Sequence, residues 1–329
     1  MKKLTKPFST IVFIALLIVV TACSSASNNA ANPASTEASA PSASSSEQST
    51  TKTFKHMKGE TVIPAHPQRI ADISGSSEEL VILGHKPVIT ANTEFDAPTV
   101  IPEHLRESLA GVPTAGYYGS GELNLEAIVQ SEPDLIITNI RHEKVYEQLS
   151  KIAPTIMLTD DMTYIDWRGR FTQIGDILDQ KQQVADWLAA YDAKAAKLHD
   201  EIVAKTGAET FAVIEANQKT IRIYGTSGYG SLLFNDLKLP YAEGTPIKDW
   251  GLEIDIEGLS TINPDHIFFM YTDGSETDLV NSAIWKSKDA VKNGNVYRGS
   301  NNDQWNLSFT PLGKDMLLDQ IAEMILNKK

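Results

Sequence analysis

The chain has 329 residues, and its 42 acidic side chains outnumber its 29 basic ones, which gives a formal net charge of −13 at pH 7. This acidic balance excludes nucleic acid and an anionic membrane surface as expected partners, because both select clustered Lys and Arg. The single cysteine, Cys23, excludes an internal disulfide framework.

The first 23 residues predict an export signal that ends in a lipidation site. Three of the first six residues are lysines, residues 11–20 are nearly all apolar, and small residues stand just before Cys23. This is the order of a secretory signal. Its apolar run is shorter than the roughly 20 residues of a membrane-spanning helix. The stretch resembles a bacterial lipobox, in which the cysteine is diacylated and becomes the new amino terminus.

Residues 24–52 predict a flexible tether, because they are dominated by Ser and Ala and bury too little apolar surface to fold. Cleavage before Cys23 would remove three lysines and no acidic residue, so the mature chain would have a net charge of −16. Beyond the tether the composition is that of a globular protein, and the remaining length is enough for two lobes.

Helices and short apolar strands alternate over residues 53–165. A hairpin is predicted at ETVIPAHPQRIADI, followed by a helix in SSEELVILGHKPVIT and by helix–strand units in LNLEAIVQSEPDLIIT and EKVYEQLSKIAPTIMLT. This alternation predicts an α/β lobe with a largely parallel sheet. Residues 166–206 are apolar at helical spacing and predict a connecting segment, either one long helix or two in sequence. Strands and helices return over residues 207–329, and a last helix starts at Pro311.

One phrase occurs in both lobes. LNLEAIVQSEPDLIITN begins at Leu123 and IDIEGLSTINPDHIFFM begins 131 residues later at Ile254; aligned without gaps, they share Glu126 with Glu257 and the Pro-Asp pair that follows. The repeat predicts two lobes of like design. A carboxylate in a first helical turn is also favoured by the helix dipole, so each glutamate alone has a structural explanation.

In this order, the segments resemble the ABC-transporter substrate-binding proteins of the iron-siderophore and cobalamin class, over essentially all of residues 54–329. The motifs that carry the resemblance are ETVIPAHPQRIAD, ELVILGHKPV, LNLEAIVQSEPDLIIT, YEQLSKIAPTI, YGTSGYGSLLFNDL and WNLSFTPLGKDMLLDQIAEMIL. Within the class, IRIYGTSGYG, AIWKS and Trp305 look most like binders of ferric hydroxamate or mixed carboxylate siderophores. The resemblance implies an α/β fold with two Rossmann-like lobes, residues 53–165 and 207–329, joined by a long helical backbone, with a ligand cleft between them.

The resemblance also implies a function and partners. The protein would be a lipid-anchored, extracytoplasmic monomer that captures a ferric siderophore and delivers it to a dimeric ABC permease. Contact with the membrane would be through the lipid anchor only. In the family, a surface glutamate of each lobe docks onto arginines of the permease, and Glu126 and Glu257 occupy those positions. No cofactor or protein metal site is implied, because iron enters only as part of the bound chelate.

Ligands in such sheets bind beyond the carboxyl ends of the strands, so the candidate residues are sought in the loops that follow them. Arginine offers a planar fork of donors to chelate oxygens, and Tyr and Trp combine wide contact with a polar tip. Arg141 and Arg222 are the strongest candidates, since each lies at a strand end. The full candidate set is Tyr117, Tyr118, Arg141, His142, Arg168, Arg170, Arg222, Tyr224, Tyr229, Trp250 and Trp305.

Other functions stay open at this point. Tyr117 and Tyr118, with His142 nearby, would suit direct binding of ferric ion, and an aromatic cleft also suits cobalamin. Haem would need an axial His or Met that the pattern does not place. An enzyme is disfavoured, because the sequence has no Walker loop, no HExxH motif and no cysteine placed as a nucleophile.

The lipobox predicts that Cys23 holds the membrane anchor. Cys23→Ala is expected to leave the protein folded and able to bind its ligand but to release it from the membrane fraction, because no acyl chain can be attached. Cell fractionation followed by a carbonate wash measures this. A variant that still sediments with membranes contradicts the prediction.

Overall fold

The computed structural model describes residues 50–217, 220–272 and 274–328. The predicted signal, Cys23 and nearly all of the predicted tether lie outside these residues. In the part of the chain that is described, no helix is both long and apolar enough to cross a membrane.

The amino-terminal lobe contains a parallel sheet of four strands and, before it, an antiparallel hairpin. The strands are β1 (Thr51–His56), β2 (Gly59–Pro64), β3 (Ile70–Asp72), β4 (Ile89–Thr90), β5 (Leu135–Asn139) and β6 (Thr155–Leu158). β1 pairs with β2, and the larger sheet has the order β4-β3-β5-β6. The hairpin predicted at ETVIPAHPQRIADI is therefore wrong in its second half, because that half is β3, a buried parallel strand. The strand that pairs with β2 in the hairpin is β1, which begins inside the predicted tether.

Helices pack on both faces of this sheet. Alternate residues of β5 enter different apolar clusters, Leu135 and Ile137 on one side and Ile136 on the other. A parallel sheet covered on both faces needs such a continuous apolar strand. The helices of this lobe are α1 (Ser77–Ile82), α2 (Leu125–Gln130), α3 (Tyr146–Ile152) and α4 (Asp160–Tyr164), with 3₁₀ turns at Glu103–Leu105 and Ile140–Val145.

The carboxyl-terminal lobe has a mixed sheet of five strands. They are β7 (Phe211–Asn217), β8 (Thr220–Tyr224), β9 (Gly251–Ile254), β10 (His266–Tyr271) and β11 (Val296–Ser300), in the order β11-β10-β7-β8-β9. β10 pairs in parallel with β7 and with β11, whereas the β7–β8 and β8–β9 pairs are antiparallel. Only two sequence positions separate β7 from β8, too few for the crossover that a parallel pair requires.

The segment predicted to connect the lobes is two helices, α5 (Trp167–Leu178) and α6 (Lys181–Thr206). Asp179 has a left-handed backbone, with φ of 58°, and ends α5. The two helices fold back on one another, since the ring of Trp187 lies 5.4 Å from that of Phe171 and 6.2 Å from that of Trp167. α6 alone, at 26 residues, is about 39 Å long.

The remaining helices belong to the second half of the chain. A short α7 (Tyr229–Ser231) continues as a π-helix over Leu232–Asp236, and a 3₁₀ turn spans Gly258–Thr261. The others are α8 (Thr277–Asn281), α9 (Ala283–Ser287), α10 (Asp289–Lys292), α11 (Asn301–Asn306) and α12 (Pro311–Leu326).

The start of α12 is attached to the amino-terminal lobe. The carboxylate of Glu78, in α1, accepts hydrogen bonds from the backbone N–H groups of Leu312 at 2.6 Å and Gly313 at 3.0 Å. It also accepts one from the hydroxyl of Thr310 at 2.8 Å. A carboxylate at the amino end of a helix satisfies unpaired N–H groups and complements the helix dipole. The last helix is thereby fixed to a lobe that precedes it by more than 200 positions.

Arg170 has a structural role in place of the predicted ligand contact. Its Nε donates to the carboxylate of Glu79 at 2.6 Å and its Nη2 donates to the carbonyl of Phe309 at 2.9 Å, and both charged side chains are fully buried. Burial raises the pKa of Glu79 to about 7, against the lowering effect of the Arg170 charge. The expectation that Arg170 contacts a ligand is wrong, because its guanidinium lies inside the protein core.

This buried pair predicts a large, asymmetric effect on stability. Arg170→Met is expected to lower the free energy of unfolding by about 3–5 kcal/mol, because Glu79 would remain buried without its cation. The double variant Arg170→Met/Glu79→Met should recover much of this loss, since no charge is left unpaired. Thermal unfolding followed by circular dichroism measures both. Arg168→Met, which removes a partly exposed arginine two residues away, is the control; an equal loss in the control would contradict the prediction.

Candidate ligand-binding cleft

A cavity of about 600 Å³ opens between the two lobes. The residues that line it are mostly aromatic: Phe95, Tyr117, Gly119, Arg141, Tyr164, Ile165, Trp250 and Trp305. The first six come from loops and short helices that follow strands of the amino-terminal sheet, as the rule for parallel sheets predicts. In the carboxyl-terminal lobe the rule is not followed throughout, because Trp250 immediately precedes β9.

Aromatic rings from both lobes meet in the cavity wall. Trp250 and Trp305 stack with their centroids 5.8 Å apart, and Phe95 lies 6.3 Å from Trp305. The backbone N–H of Phe95 donates to the side-chain carbonyl of Asn306 at 3.1 Å, which fixes the two lobes together at this edge of the cavity. The lobes therefore present one continuous aromatic surface.

The amino-terminal side of the cavity holds a cation against an aromatic ring. The guanidinium of Arg141 lies 4.8 Å from the ring centroid of Tyr164, within the range of a cation–π contact. Tyr117 forms the neighbouring wall and packs on Tyr118, with ring centroids 4.7 Å apart. Arg141 is exposed, so its N–H groups can turn toward a ligand while the ring contact limits their motion.

Arg222 lies beside the cavity but is paired with protein carboxylates. Residues Glu215, Arg222 and Glu253 stand directly opposite one another on the adjacent strands β7, β8 and β9. Arg222 forms ion pairs with Glu215, at 3.3 Å, and with Glu253. Its guanidinium also lies 5.3 Å from the ring centroid of Trp250. Arg222 thus positions a wall residue, whereas direct ligand contact was expected.

Three further candidates are buried behind the cavity wall. Tyr224 is fully buried and donates its hydroxyl to Glu215 at 2.6 Å. Tyr229 is also fully buried, with its ring against Phe268. Tyr118 is 2% exposed. Tyr118 and Tyr224 support the wall from behind, through ring contacts with Tyr117 and Trp250, and none of the three lines the cavity.

The other two candidates, His142 and Arg168, do not line this cavity. His142 is fully buried beneath Arg141, with Nδ1 2.9 Å from the hydroxyl of Thr138, and burial lowers its pKa to about 4. Arg168 is paired with Asp192 at 2.7 Å and Asp236 at 3.2 Å and lines a different cavity beside α6. The expectation of ligand contact is wrong for both.

Four residues of the cavity wall are not among the candidates predicted from the sequence: Phe95, Gly119, Tyr164 and Ile165. Gly119 lies in the loop that also holds the candidate Tyr117. Phe95 follows β4, and the other two lie in and after α4, directly beyond β6, so the strand-end rule could have found them. Beyond β6, the predicted candidates Arg168 and Arg170 lie a few positions past the residues that line the cavity. Both arginines lie in α5, whose helical turn directs Arg170 into the core.

The repeated phrase forms a capped helical turn in both lobes. Asn124 accepts a hydrogen bond from the backbone N–H of Ala127 at 3.1 Å, and Asp255 accepts one from that of Gly258 at 2.8 Å. Each turn therefore begins with a side-chain cap. The first turn is α-helical and the second is a 3₁₀ turn.

The Pro-Asp pair of each repeat joins two strands. Asp134 accepts hydrogen bonds from the backbone N–H groups of Gln68 at 2.7 Å and Arg69 at 3.0 Å, just before β3. Asp265 accepts one from that of Thr210 at 2.8 Å, just before β7. In both lobes the aspartate thus binds the backbone at the start of the strand, β3 or β7, that pairs in parallel with its own. This shared structural role accounts for the occurrence of the phrase in both lobes.

Glu126 and Glu257 are both exposed at these turns. In each lobe a cation donates to two backbone carbonyls in or just after the turn. Arg69 donates to Ser131 at 2.5 Å and Glu132 at 2.7 Å in the first lobe. Lys288 donates to Leu259 at 2.6 Å and Ile262 at 2.5 Å in the second. In the first turn Ile128 is fully buried, whereas Val129 is 53% exposed. The two turns thus present a carboxylate on a rigid support.

Residues 73–302 match the family described as Periplasmic binding protein. The chain belongs to this family. It is 28% identical over 299 residues to the "Probable siderophore-binding lipoprotein YfiY" of Bacillus subtilis, covering 85% of this chain and 90% of that one. It is 29% identical to the "Iron(3+)-hydroxamate-binding protein FhuD" of the same organism, over 75% of this chain and 78% of that one.

Solved structures agree with this membership. The crystal structure of Staphylococcus aureus SirA complexed with staphyloferrin B is 28% identical in sequence and superposes with a TM-score of 0.73, covering 83% of this chain and 98% of that chain. The family and the two-lobed α/β fold predicted from the sequence are confirmed.

Proposed function

We propose that this protein is the extracytoplasmic substrate-binding component of an ABC importer and that it captures a ferric siderophore for delivery to the permease. The observation that carries the proposal is the aromatic cavity between the lobes, with Arg141 at its wall. Its volume, about 600 Å³, lies within the range of small-molecule sites. The names of the relatives, which include binders of iron-hydroxamate and of other siderophores, support the same ligand class.

Recognition would act on the outer surface of the chelate, because the chelator already coordinates the iron. Aromatic rings offer broad contact to the hydrocarbon parts of a chelate at a low cost in conformational entropy. The guanidinium of Arg141 offers donors to its carbonyl or carboxylate oxygens. On this proposal no cofactor and no chemical step are needed, and the protein acts as a binding protein.

Direct coordination of ferric ion is not favoured. Tyr118 is buried, and burial raises the pKa of both Tyr117 and Tyr118, whereas binding of iron would need their phenolates. His142, the third candidate ligand, is fully buried and does not line the cavity. The described structure offers no specific feature in favour of haem or cobalamin over a ferric chelate.

We further propose that the protein acts as a monomer anchored through Cys23 at the outer face of the cytoplasmic membrane, and that Glu126 and Glu257 dock onto a dimeric permease. The exposure of both glutamates on capped, structurally equivalent turns supports the docking proposal. Two carboxylates, one in each lobe, suit a partner with two equivalent cationic sites. No role with nucleic acid is proposed.

Arg141→Ala is expected to weaken binding of a ferric hydroxamate by about one to two decades in Kd, because a charge-assisted hydrogen bond would be lost. Quenching of tryptophan fluorescence on titration measures the change, since Trp250 and Trp305 line the cavity. Arg106→Ala, which removes an exposed arginine that does not line the cavity, is the matched control. Equal affinities of the two variants would place the site elsewhere.

Glu126→Ala/Glu257→Ala is expected to abolish most siderophore uptake in cells while leaving chelate affinity unchanged, because the proposed ionic contacts with the permease would be lost. Each single variant should reduce uptake in part. The stability cost should be at most about 0.3–1 kcal/mol per glutamate. Glu60→Ala/Glu323→Ala, which removes two other exposed glutamates, is the control. Normal uptake by the first double variant at equal protein level would refute the docking proposal.

A further inference from the structure

The cavity has little positive charge for a site that is proposed to bind a metal chelate. Among the described residues that line it, Arg141 has the one charged side chain, and five of the others are aromatic. A chelate inside this cavity would therefore exchange water mainly for ring surfaces. Such an exchange favours a ligand whose own surface is apolar or neutral.

The second arginine beside the cavity does not add positive charge. Arg222 lies between Glu215 and Glu253 on adjacent strands and forms an ion pair with each. Tyr224 also donates its hydroxyl to Glu215 at 2.6 Å, which holds that carboxylate in place. The three charged residues together have a formal charge of −1. Because the three residues are held in register by the sheet, both Nη atoms of Arg222 donate to protein carboxylates, which offsets the charge of the guanidinium.

The segments that hold the wall residues are also rich in exposed carboxylates. Phe95 is followed by Asp96, and Trp250 is preceded by Asp249, with one compensating cation at Lys248. The exposed Asp161 and Asp166 flank the pair Tyr164 and Ile165. Exposed charges act over roughly 8–10 Å at physiological ionic strength. An anionic ligand would meet repulsion from these carboxylates at the rim of the cleft, and inside the cavity Arg141 is the one charged lining residue among those described that could offset it.

We propose that this cleft selects ferric complexes of low net charge, such as tris-hydroxamates, over polyanionic catecholate and carboxylate complexes. We assign Glu253, through Arg222, as a determinant of this charge selectivity. Three hydroxamates neutralise the charge of ferric ion, whereas three catecholates leave a net charge of −3. This inference rests on the proposed siderophore-binding function and narrows its ligand class.

A panel of chelates of graded charge tests the selectivity. The probes are ferrichrome, which is neutral, ferrioxamine B, ferric enterobactin and ferric citrate, titrated against tryptophan fluorescence at low and high salt. We expect the two hydroxamates to bind at least about tenfold more tightly than the two anionic complexes, with an affinity that salt hardly changes. Tighter binding of an anionic complex would overturn the inference and leave the proposed function standing. Binding of no chelate would overturn the proposed function and, with it, the inference.

The variant Glu253→Gln tests the assigned determinant. It removes one negative charge and frees part of the Arg222 guanidinium, so the ratio of affinities should shift toward ferric enterobactin by about three- to tenfold. Glu201→Gln is the matched control, because Glu201 is also an exposed glutamate paired with a cation, Lys197, but lies on α6 away from the cavity. An equal shift in both variants would overturn the assignment of Glu253.

Discussion

The two adjacent glutamates at the start of α1 hold the interface between the lobes together. Glu78 accepts the first N–H groups of α12, and Glu79 pairs with Arg170, which in turn donates to the carbonyl of Phe309. These bonds join α1, α5 and the segment that leads into α12. A buried ion pair contributes little net stability but is costly to break, so it fixes one arrangement of these elements.

The cleft depends on that arrangement. Trp305 lies in α11, between the second sheet and the segment fixed by Arg170, and its ring packs on Phe309 with centroids 5.7 Å apart. The same ring stacks on Trp250 and lies close to Phe95. The aromatic wall is thus built from both lobes, and its geometry follows from how the chain after β11 returns to the amino-terminal lobe.

Charged side chains occupy three different environments in this protein: ion pairs within the fold, the cavity wall and the exposed surface. The buried Arg170 is paired with Glu79, and the partly exposed Arg222 is paired with the buried Glu215. The cavity itself is mainly aromatic, and carboxylates are exposed at the rim and on the two repeated turns. An arginine in this sequence is therefore more often a structural cation than a ligand contact, and its role depends on whether a carboxylate lies opposite it.

The sequence by itself indicated the family through the resemblance of its ordered motifs. It also determined the α/β class and the repeated turns, because apolar period, caps and the Pro-Asp pair are local signals. It also located Tyr117, Arg141, Trp250 and Trp305 of the cavity. Only the tertiary structure decided that Arg170 pairs with Glu79, 91 positions away, and that strand register brings Glu215 and Glu253 to Arg222. Such pairings join residues distant in the chain, and no local pattern in one sequence reveals which arginine meets a carboxylate and which meets the cleft.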